Sequence, residues 1–146
     1  MQRGFSFIEL VVVLSILAIL AAVAVPQIGD SVTVRELEDV AQQLASDIRW
    51  TQQETINRTA DMTSPMITFY PTGYAIEAGL GNRLKPFTKF PNSVQLVGTT
   101  SPISFKLDGK PVTGTTISLQ SRSKPTLFRY VIVLQTTGRI RVVNSL

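Results

Sequence analysis

An apolar segment near the N-terminus constrains the fold of this chain more than any other feature. It runs from Phe5 to Ile28 and is interrupted near its start by Glu9 and in its middle by Ser15. As a helix rising about 1.5 Å per residue it would reach roughly 36 Å, enough to cross a hydrocarbon core about 30 Å thick. Three interpretations follow: a cleaved secretory signal, a permanent membrane anchor, or the core helix of an assembled filament.

Glu9 distinguishes these interpretations. A carboxylate at the centre of a membrane helix costs about 2.5–3.5 kcal/mol, less near the interface, and such residues usually have a dedicated partner. An ordinary signal peptide has a basic start, a plain apolar core and an A-x-A exit. Ala22-Val23-Ala24 offers such an exit, which would release a secreted domain. That interpretation explains neither Glu9 nor the helical pattern that continues beyond the cut.

The start of the apolar segment carries a specific resemblance. Gly4-Phe5-Ser6-Phe7-Ile8-Glu9 resembles the G-F-T-L-x-E processing site of type IV pilins and type II secretion pseudopilins. Pro26 lies where many of these proteins carry a proline in the helix. The resemblance implies that a prepilin peptidase cuts after Gly4, removes the leader of residues 1–4, and methylates the new amino terminus at Phe5. Residues 5–28 would then remain as a transmembrane and filament-core helix.

The same resemblance implies an assembly role for Glu9. Inside a lipid-like filament core an ionised carboxylate needs a cation, and the Phe5 amine of an adjacent subunit would supply it. Such a buried pair would set the axial register between subunits. The alternative is a pair with the chain's own Phe5 amine, one helical turn away.

Beyond this segment the sequence predicts an amphipathic helix over residues 29–60 that continues into a head domain. Pro26 lacks a backbone N–H donor and should kink or locally open the helix. Trp50 lies off the apolar stripe, and we expect it to pack at the edge of the domain. The apolar positions recur at three- and four-residue steps: Val34, Leu37, Ala41, Leu44 and Ile48.

Residues 61–146 have the pattern of β structure. Turn sequences such as Pro71-Thr72-Gly73 and Asp108-Gly109 separate short apolar runs, and a last hairpin is predicted around Thr136-Thr137-Gly138. About six or seven short strands after a long helix predict an α+β fold with an antiparallel head. With the resemblance, this is the type IV pilin-like fold. The stretch from Gly79 to Asn92, rich in glycine, proline and basic residues, is predicted to be an exposed loop.

The composition argues against an enzyme. The chain has no cysteine and no histidine, which excludes thiolate metal sites and disulfides and removes the commonest general base and metal ligand. The remaining serine and acidic residues form no recognisable set of nucleophile, base and orienting group. We therefore expect no enzymatic activity, no catalytic residues, no metal site and no cofactor.

Two further stretches resemble one subgroup of the family. Leu44-Ala45-Ser46-Asp47-Ile48-Arg49 resembles the head-proximal helix of the minor pseudopilin H group (GspH), which includes FimT-type minor pilins. Thr137-Gly138-Arg139-Ile140-Arg141 is similar to their closing T-G-R-x-R hairpin. The resemblance implies a scarce subunit at or near the filament tip, in the bacterial inner membrane with a single span and an extracytoplasmic head. The implied partners are other pilin or pseudopilin subunits, the prepilin peptidase, inner-membrane lipid and secreted protein cargo.

Charge is divided unevenly along the chain. Residues 1–77 hold four basic and nine acidic side chains, whereas residues 78–146 hold ten basic side chains and one acidic side chain, Asp108. Such asymmetry predicts a polyanionic or acidic partner. The candidates are the acidic helix face of this or a neighbouring subunit, anionic lipid headgroups, and DNA, whose phosphates attract clustered lysine and arginine.

The DNA alternative rests on the C-terminal hairpin. Some FimT-type minor pilins of DNA-uptake pili bind DNA through the G-R-x-R hairpin, which here implies Gly138, Arg139 and Arg141 as a DNA-binding site. Strand alternation puts both arginines on one face. A strand edge whose basic residues only discourage aggregation is the other interpretation. Further basic residues could extend the patch: Arg122, Lys124 and Arg129.

These observations predict a minor type IV pilin-like protein. The leading interpretation is a type II secretion pseudopilin of the H group. One alternative keeps the fold and the assembly but places the subunit in a DNA-uptake pilus. The other is a membrane-anchored or secreted β-domain that never polymerises.

Overall fold

The computed structural model describes residues 6–59, 62–79, 81–98 and 101–145, with the side chains of residues 23–31 excepted. In this part of the chain one long helix, α1 (Phe7–Ile56), precedes eight strands. The strands are β1 (Pro65–Tyr70), β2 (Gly73–Ala78), β3 (Arg83–Lys89), β4 (Val94–Gly98), β5 (Ile103–Ser104), β6 (Thr115–Ser121), β7 (Phe128–Val133) and β8 (Ile140–Val143).

The chain divides into two compact units, one up to Thr33 and one from Val34 onward. In the first unit, all described side chains from Ser6 to Ala22 are exposed, although nearly all are apolar. The Ser15 hydroxyl donates to the Val11 carbonyl at 2.7 Å, so its polar group is satisfied within the helix. A helix that is apolar all round is built for an apolar environment.

The helix does not end at proline. Pro26 lies within α1, which continues to Ile56. Among the described residues, no helical stretch reaches the length and apolar character that a membrane span needs.

The second unit contains two antiparallel four-stranded sheets. Sheet 1 has the strand order β3-β2-β1-β5, and sheet 2 has the order β4-β6-β7-β8. In sheet 2, Val131 lies opposite Ile117 on β6 and opposite Val142 on β8. Because directly opposed residues point to the same side of a sheet, this register aligns one apolar face across the strands.

One hydrophobic core joins the helix to both sheets. Leu37, Leu44 and Ile48 have no accessible surface, and they belong to the same cluster as Ile67 of sheet 1 and Val131 of sheet 2. The apolar stripe predicted from the spacing therefore faces the core. Trp50, off the stripe, packs against this cluster while partly buried. The predicted α+β fold with an antiparallel head is confirmed.

The predicted exposed loop between Gly79 and Asn92 is wrong. Residues Arg83–Lys89 form β3, which pairs with β2 through an irregular register. Proline cannot donate to a ladder of strands and is therefore confined to edges and bulges. Pro86 meets this condition because β3 is the edge strand of sheet 1. The proline and the basic residues that suggested a loop are instead typical of a protected sheet edge.

Candidate functional site

A buried carboxylate joins α1 to sheet 1. Asp47 is only 3% exposed. It accepts hydrogen bonds from the Tyr74 hydroxyl at 2.6 Å, the Lys85 ammonium at 2.8 Å and the Gln43 amide at 3.2 Å. The Lys85 ammonium also lies 4.3 Å from the centre of the Trp50 ring, a favourable cation–π distance.

These contacts fix the protonation states in the cluster. Burial favours a raised pKa for Asp47, but the hydrogen bonds from Lys85, Tyr74 and Gln43 outweigh it and hold the pKa below its usual value. Burial, followed by the hydrogen bond to Asp47, raises the pKa of Tyr74. At neutral pH the carboxyl is therefore ionised and the phenol protonated, which makes this cluster a structural joint between helix and sheet.

A second ion pair joins α1 to sheet 2. The Arg129 guanidinium donates to Glu38 at 2.6 Å, and Gln42 donates to the other carboxylate oxygen at 2.9 Å. The hydrogen bond from Gln42, then that from Arg129, lowers the pKa of Glu38. The prediction that Arg129 extends a basic patch is therefore wrong, because its charge is paired inside the head.

The C-terminal hairpin is held by the last turns of α1. The Gln52 amide donates to the carbonyl of Gly109 at 2.6 Å and to that of Gly138 at 3.1 Å. Arg49 donates to the carbonyl of Ile140 at 3.3 Å. One glutamine thus ties two glycine turns together and fixes both against the helix.

Gly138 has a structural role in this arrangement. It is buried, and its φ is +69°, in the left-handed region that disfavours any residue with a Cβ. A Cβ built at this position would collide with the Gly109 carbonyl oxygen and would lie 2.6 Å from the Gln52 amide nitrogen. Of the predicted DNA-binding trio, this residue therefore faces the interior.

Arg139 and Arg141 lie on the outside. Both are exposed, and the residue between them, Ile140, is buried. Arg141 belongs to β8, an edge strand of sheet 2, and lies opposite Ile132 on β7. Within the described part of the chain neither arginine has a carboxylate partner. Their positive charges are therefore available to an external anion.

An aromatic pair shares the outer face of sheet 2 with Arg141. The rings of Phe128 and Tyr130 are stacked, with centroids 5.8 Å apart and planes 5° from parallel. In the sequence these aromatics alternate with Arg129, and a period of two puts them on the face opposite to that arginine. This alternation is the signal that could have revealed the pair beforehand.

The start of α1 gives Glu9 a local role. Glu9 lies in the first turn and is exposed, and its backbone N–H donates to the Ser6 carbonyl at 3.0 Å. Ser6 and Glu9 have the spacing of a capping box, and an acid in the first turn favours the helix dipole. The predicted processing residues Gly4 and Phe5 lie outside the described residues, as does the side chain of Pro26.

Two family models match this chain. The prokaryotic N-terminal methylation motif matches residues 1–25, and the type II transport protein GspH matches residues 40–138. The chain belongs to the GspH family. This confirms the resemblance to the type IV pilin-like and GspH family. Comparison with curated proteins gave no significant match, and neither did comparison with solved structures.

The site residues of this GspH-family chain fall partly within the one matched region and partly within the other. The methylation motif includes Gly4, Phe5 and Glu9 and ends one residue before Pro26. The GspH match includes the Asp47–Lys85 pair and the Arg129 end of the second pair, and it ends at Gly138. The matched region thus covers most of the contacts that hold the head together, and the exposed arginines of the hairpin lie just beyond it.

Proposed function

We propose that this GspH-family chain is a minor pseudopilin, a structural and non-enzymatic subunit of the filament used in type II protein secretion. One observation carries the proposal: a methylation motif and a GspH head occur in one chain, and α1 runs from the first into the second. A secreted domain would have no need to keep the apolar half of this helix.

In this proposal the N-terminal segment is processed first and assembled afterwards. A prepilin peptidase cuts after Gly4 and methylates Phe5, and residues 5–28 anchor the subunit in the inner membrane with the head on the extracytoplasmic side. The exposed apolar side chains of the first unit would then be covered by lipid and later by other pseudopilins. Glu9 would pair with the Phe5 amine of a neighbouring subunit.

Replacing Glu9 by alanine is expected to permit cleavage but to impair filament incorporation by about tenfold or more, since a charge-assisted hydrogen bond contributes about 1.5–3 kcal/mol. Intact mass and N-terminal sequencing of the protein from membranes should show a mature, methylated chain beginning at Phe5. Incorporation would be measured in the sheared filament fraction, relative to the membrane pool.

Glu9→Gln separates the two roles of this residue. Glutamine still suits a capping box but carries no charge, so it should fail in incorporation as alanine does. Normal incorporation of Glu9→Gln would assign Glu9 to helix capping and contradict the pairing. A mature chain beginning at Val25 would mean cleavage after Ala24, and Ala24→Leu should then block that cleavage. This result would identify an ordinary secreted domain and contradict the whole proposal.

A second candidate function is DNA capture in an uptake pilus of the same fold. The observation that favours it is the exposed pair Arg139 and Arg141 on a sheet edge, with no carboxylate partner within the described residues. Two cations two residues apart, one directly before β8 and one on it, could contact a phosphate backbone together. Such binding would be electrostatic and independent of sequence.

Arg139→Ala combined with Arg141→Ala is expected to weaken duplex DNA binding and to reduce the slope of log affinity against log salt by about 2, one for each phosphate that is no longer neutralised. The measurement is fluorescence anisotropy of labelled DNA titrated with the full chain in detergent. Arg35→Ala with Arg83→Ala removes the same charge at two exposed side chains outside both proposed anion sites and should leave the slope unchanged. Absence of binding by the wild type at low salt would rule this candidate out.

A further inference from the structure

A concave site lies at the end of sheet 2 far from the hairpin arginines. We call it the proximal pocket; its volume is about 230 Å³. The strand register puts Gln120 opposite Phe128 at this end, and Thr115 opposite Val133 at the hairpin end. The pocket is therefore separate from the hairpin site. The lining residues that matter here are Thr72, Lys89, Phe90, Asn92, Val94 and Arg122.

Backbone hydrogen bonds hold this pocket in shape. The Phe90 N–H donates to the Thr72 carbonyl at 2.8 Å, and the Arg122 N–H donates to the Ser93 carbonyl at 2.7 Å. These bonds bring together three segments that are far apart in the sequence. Phe90 and Val94 are buried and give the pocket an apolar floor, so its backbone and floor are fixed by the packing of the head.

The lining of the proximal pocket selects an anion. Lys89 and Arg122 are both exposed, and neither has a carboxylate partner among the residues that the structure describes. Asn92 and Thr72 add an amide and a hydroxyl donor, and the lining contains no acidic side chain among the described residues. A guanidinium and an ammonium that line one pocket together with neutral donors suit the several oxygens of a phosphate group.

The pocket lies near the end of the head at which the N-terminal segment joins. Ser93 stands in the sequence between the lining residues Asn92 and Val94, and its hydroxyl donates to Glu36 at 2.5 Å. Glu36 lies two residues after the start of this unit at Val34. In the sequence, the predicted anchor ends at Ile28, eight residues before Glu36. The hairpin, by contrast, is held by Gln52 near the other end of the helix.

We propose that the proximal pocket binds a phosphate group, and that in the membrane this is the phosphate of an anionic phospholipid headgroup. The lipid source rests on the proposed membrane location, whereas the phosphate chemistry rests on the pocket alone. Headgroup binding would hold the head of an unassembled subunit at the membrane surface. Withdrawal from the lipid during assembly would then release the pocket.

The test places the full-length chain in nanodiscs of zwitterionic lipid, with or without phosphatidylglycerol, and follows amide hydrogen exchange. A ligand that binds only the folded pocket slows local opening by mass action. We expect exchange at residues 89–94 and 121–124 to slow several-fold when phosphatidylglycerol is present. A parallel sample in zwitterionic lipid receives inorganic phosphate, with chloride at equal ionic strength as its reference.

Matched variants make the result specific. Lys89→Ala with Arg122→Ala should abolish the protection, and Arg139→Ala with Arg141→Ala, which removes the same charge, should retain it. If only phosphatidylglycerol protects these residues, the result supports the lipid headgroup as the ligand. If inorganic phosphate also protects them, the result supports a phosphate site that accepts free phosphate.

No protection in either sample would overturn the proposal, as would protection that both double variants retain. A chain that does not insert into nanodiscs would instead contradict the proposed function, and the same phosphate and chloride comparison on the full chain in detergent would then test the pocket.

Discussion

Gly138→Ala is expected to destabilise the folded head by about 2–4 kcal/mol. Alanine at a left-handed φ costs about 1–2 kcal/mol. The added Cβ would also displace the Gly109 carbonyl and disturb the two hydrogen bonds from Gln52, each contributing about 1 kcal/mol. The measurement is urea unfolding of the full chain in detergent, followed by the fluorescence of Trp50, the sole tryptophan.

Gly81 provides a matched control for this prediction. Its φ is +81°, and a Cβ built there meets nothing within 4 Å. Gly81→Ala should therefore show only the conformational cost, about 1–2 kcal/mol. Equal losses in the two variants would contradict the claim that the hairpin glycine packs against the helix and the neighbouring turn.

Asp47→Ala is expected to cost about 3 kcal/mol of unfolding free energy. The substitution removes the carboxylate that accepts hydrogen bonds from three side chains, and the buried Tyr74 hydroxyl loses this acceptor. Breaking a fully buried pair costs about 3–5 kcal/mol, but the Lys85 side chain is 32% exposed and can turn toward water. Asp39→Ala, at an exposed position of the same helix, should change stability by no more than about 0.5 kcal/mol.

The same carboxyl predicts a pH dependence of stability. Its folded pKa lies below the usual value, so the unfolded chain binds more protons and stability falls as the pH falls. Asp47 makes its full contribution to the free energy of unfolding above about pH 5. That contribution is lost below about pH 4, as the pH falls through the folded pKa. Asp47→Asn should therefore show a flatter stability profile below about pH 4 than the wild type. Parallel profiles, measured by urea unfolding, would contradict this.

Features with a local period were predictable from the sequence. The spacing of Leu37, Leu44 and Ile48 requires only the geometry of a helix, and the structure puts this stripe in the core. The alternation that leaves Arg139 and Arg141 exposed on either side of the buried Ile140 requires only an extended backbone, although Arg139 directly precedes β8. The N-terminal motif is likewise contiguous, and its spacing led directly to the family.

Features that depend on distant residues were not predictable. The ion pair of Glu38 with Arg129 joins residues 91 positions apart, and no local pattern reveals which acid and which base will meet. The same limit concealed β3, because Pro86 is acceptable only through the edge position of this strand and its irregular register with β2, and both depend on distant residues. Gly138 likewise looked like a binding residue in the sequence. The structure shows that the nearby Gly109 carbonyl leaves no room for a Cβ at this position.

The two ion pairs of α1 have a mechanical consequence. Asp47 pairs with Lys85 of sheet 1, and Glu38 pairs with Arg129 of sheet 2. The two sheets therefore hold the helix segment from Val34 to Ile56 on two different sides. Rotation of this segment about its own axis would break both links and move the apolar stripe out of the core. The head is therefore torsionally locked to its helix segment, and a twist applied to that segment would turn the head with it as one piece.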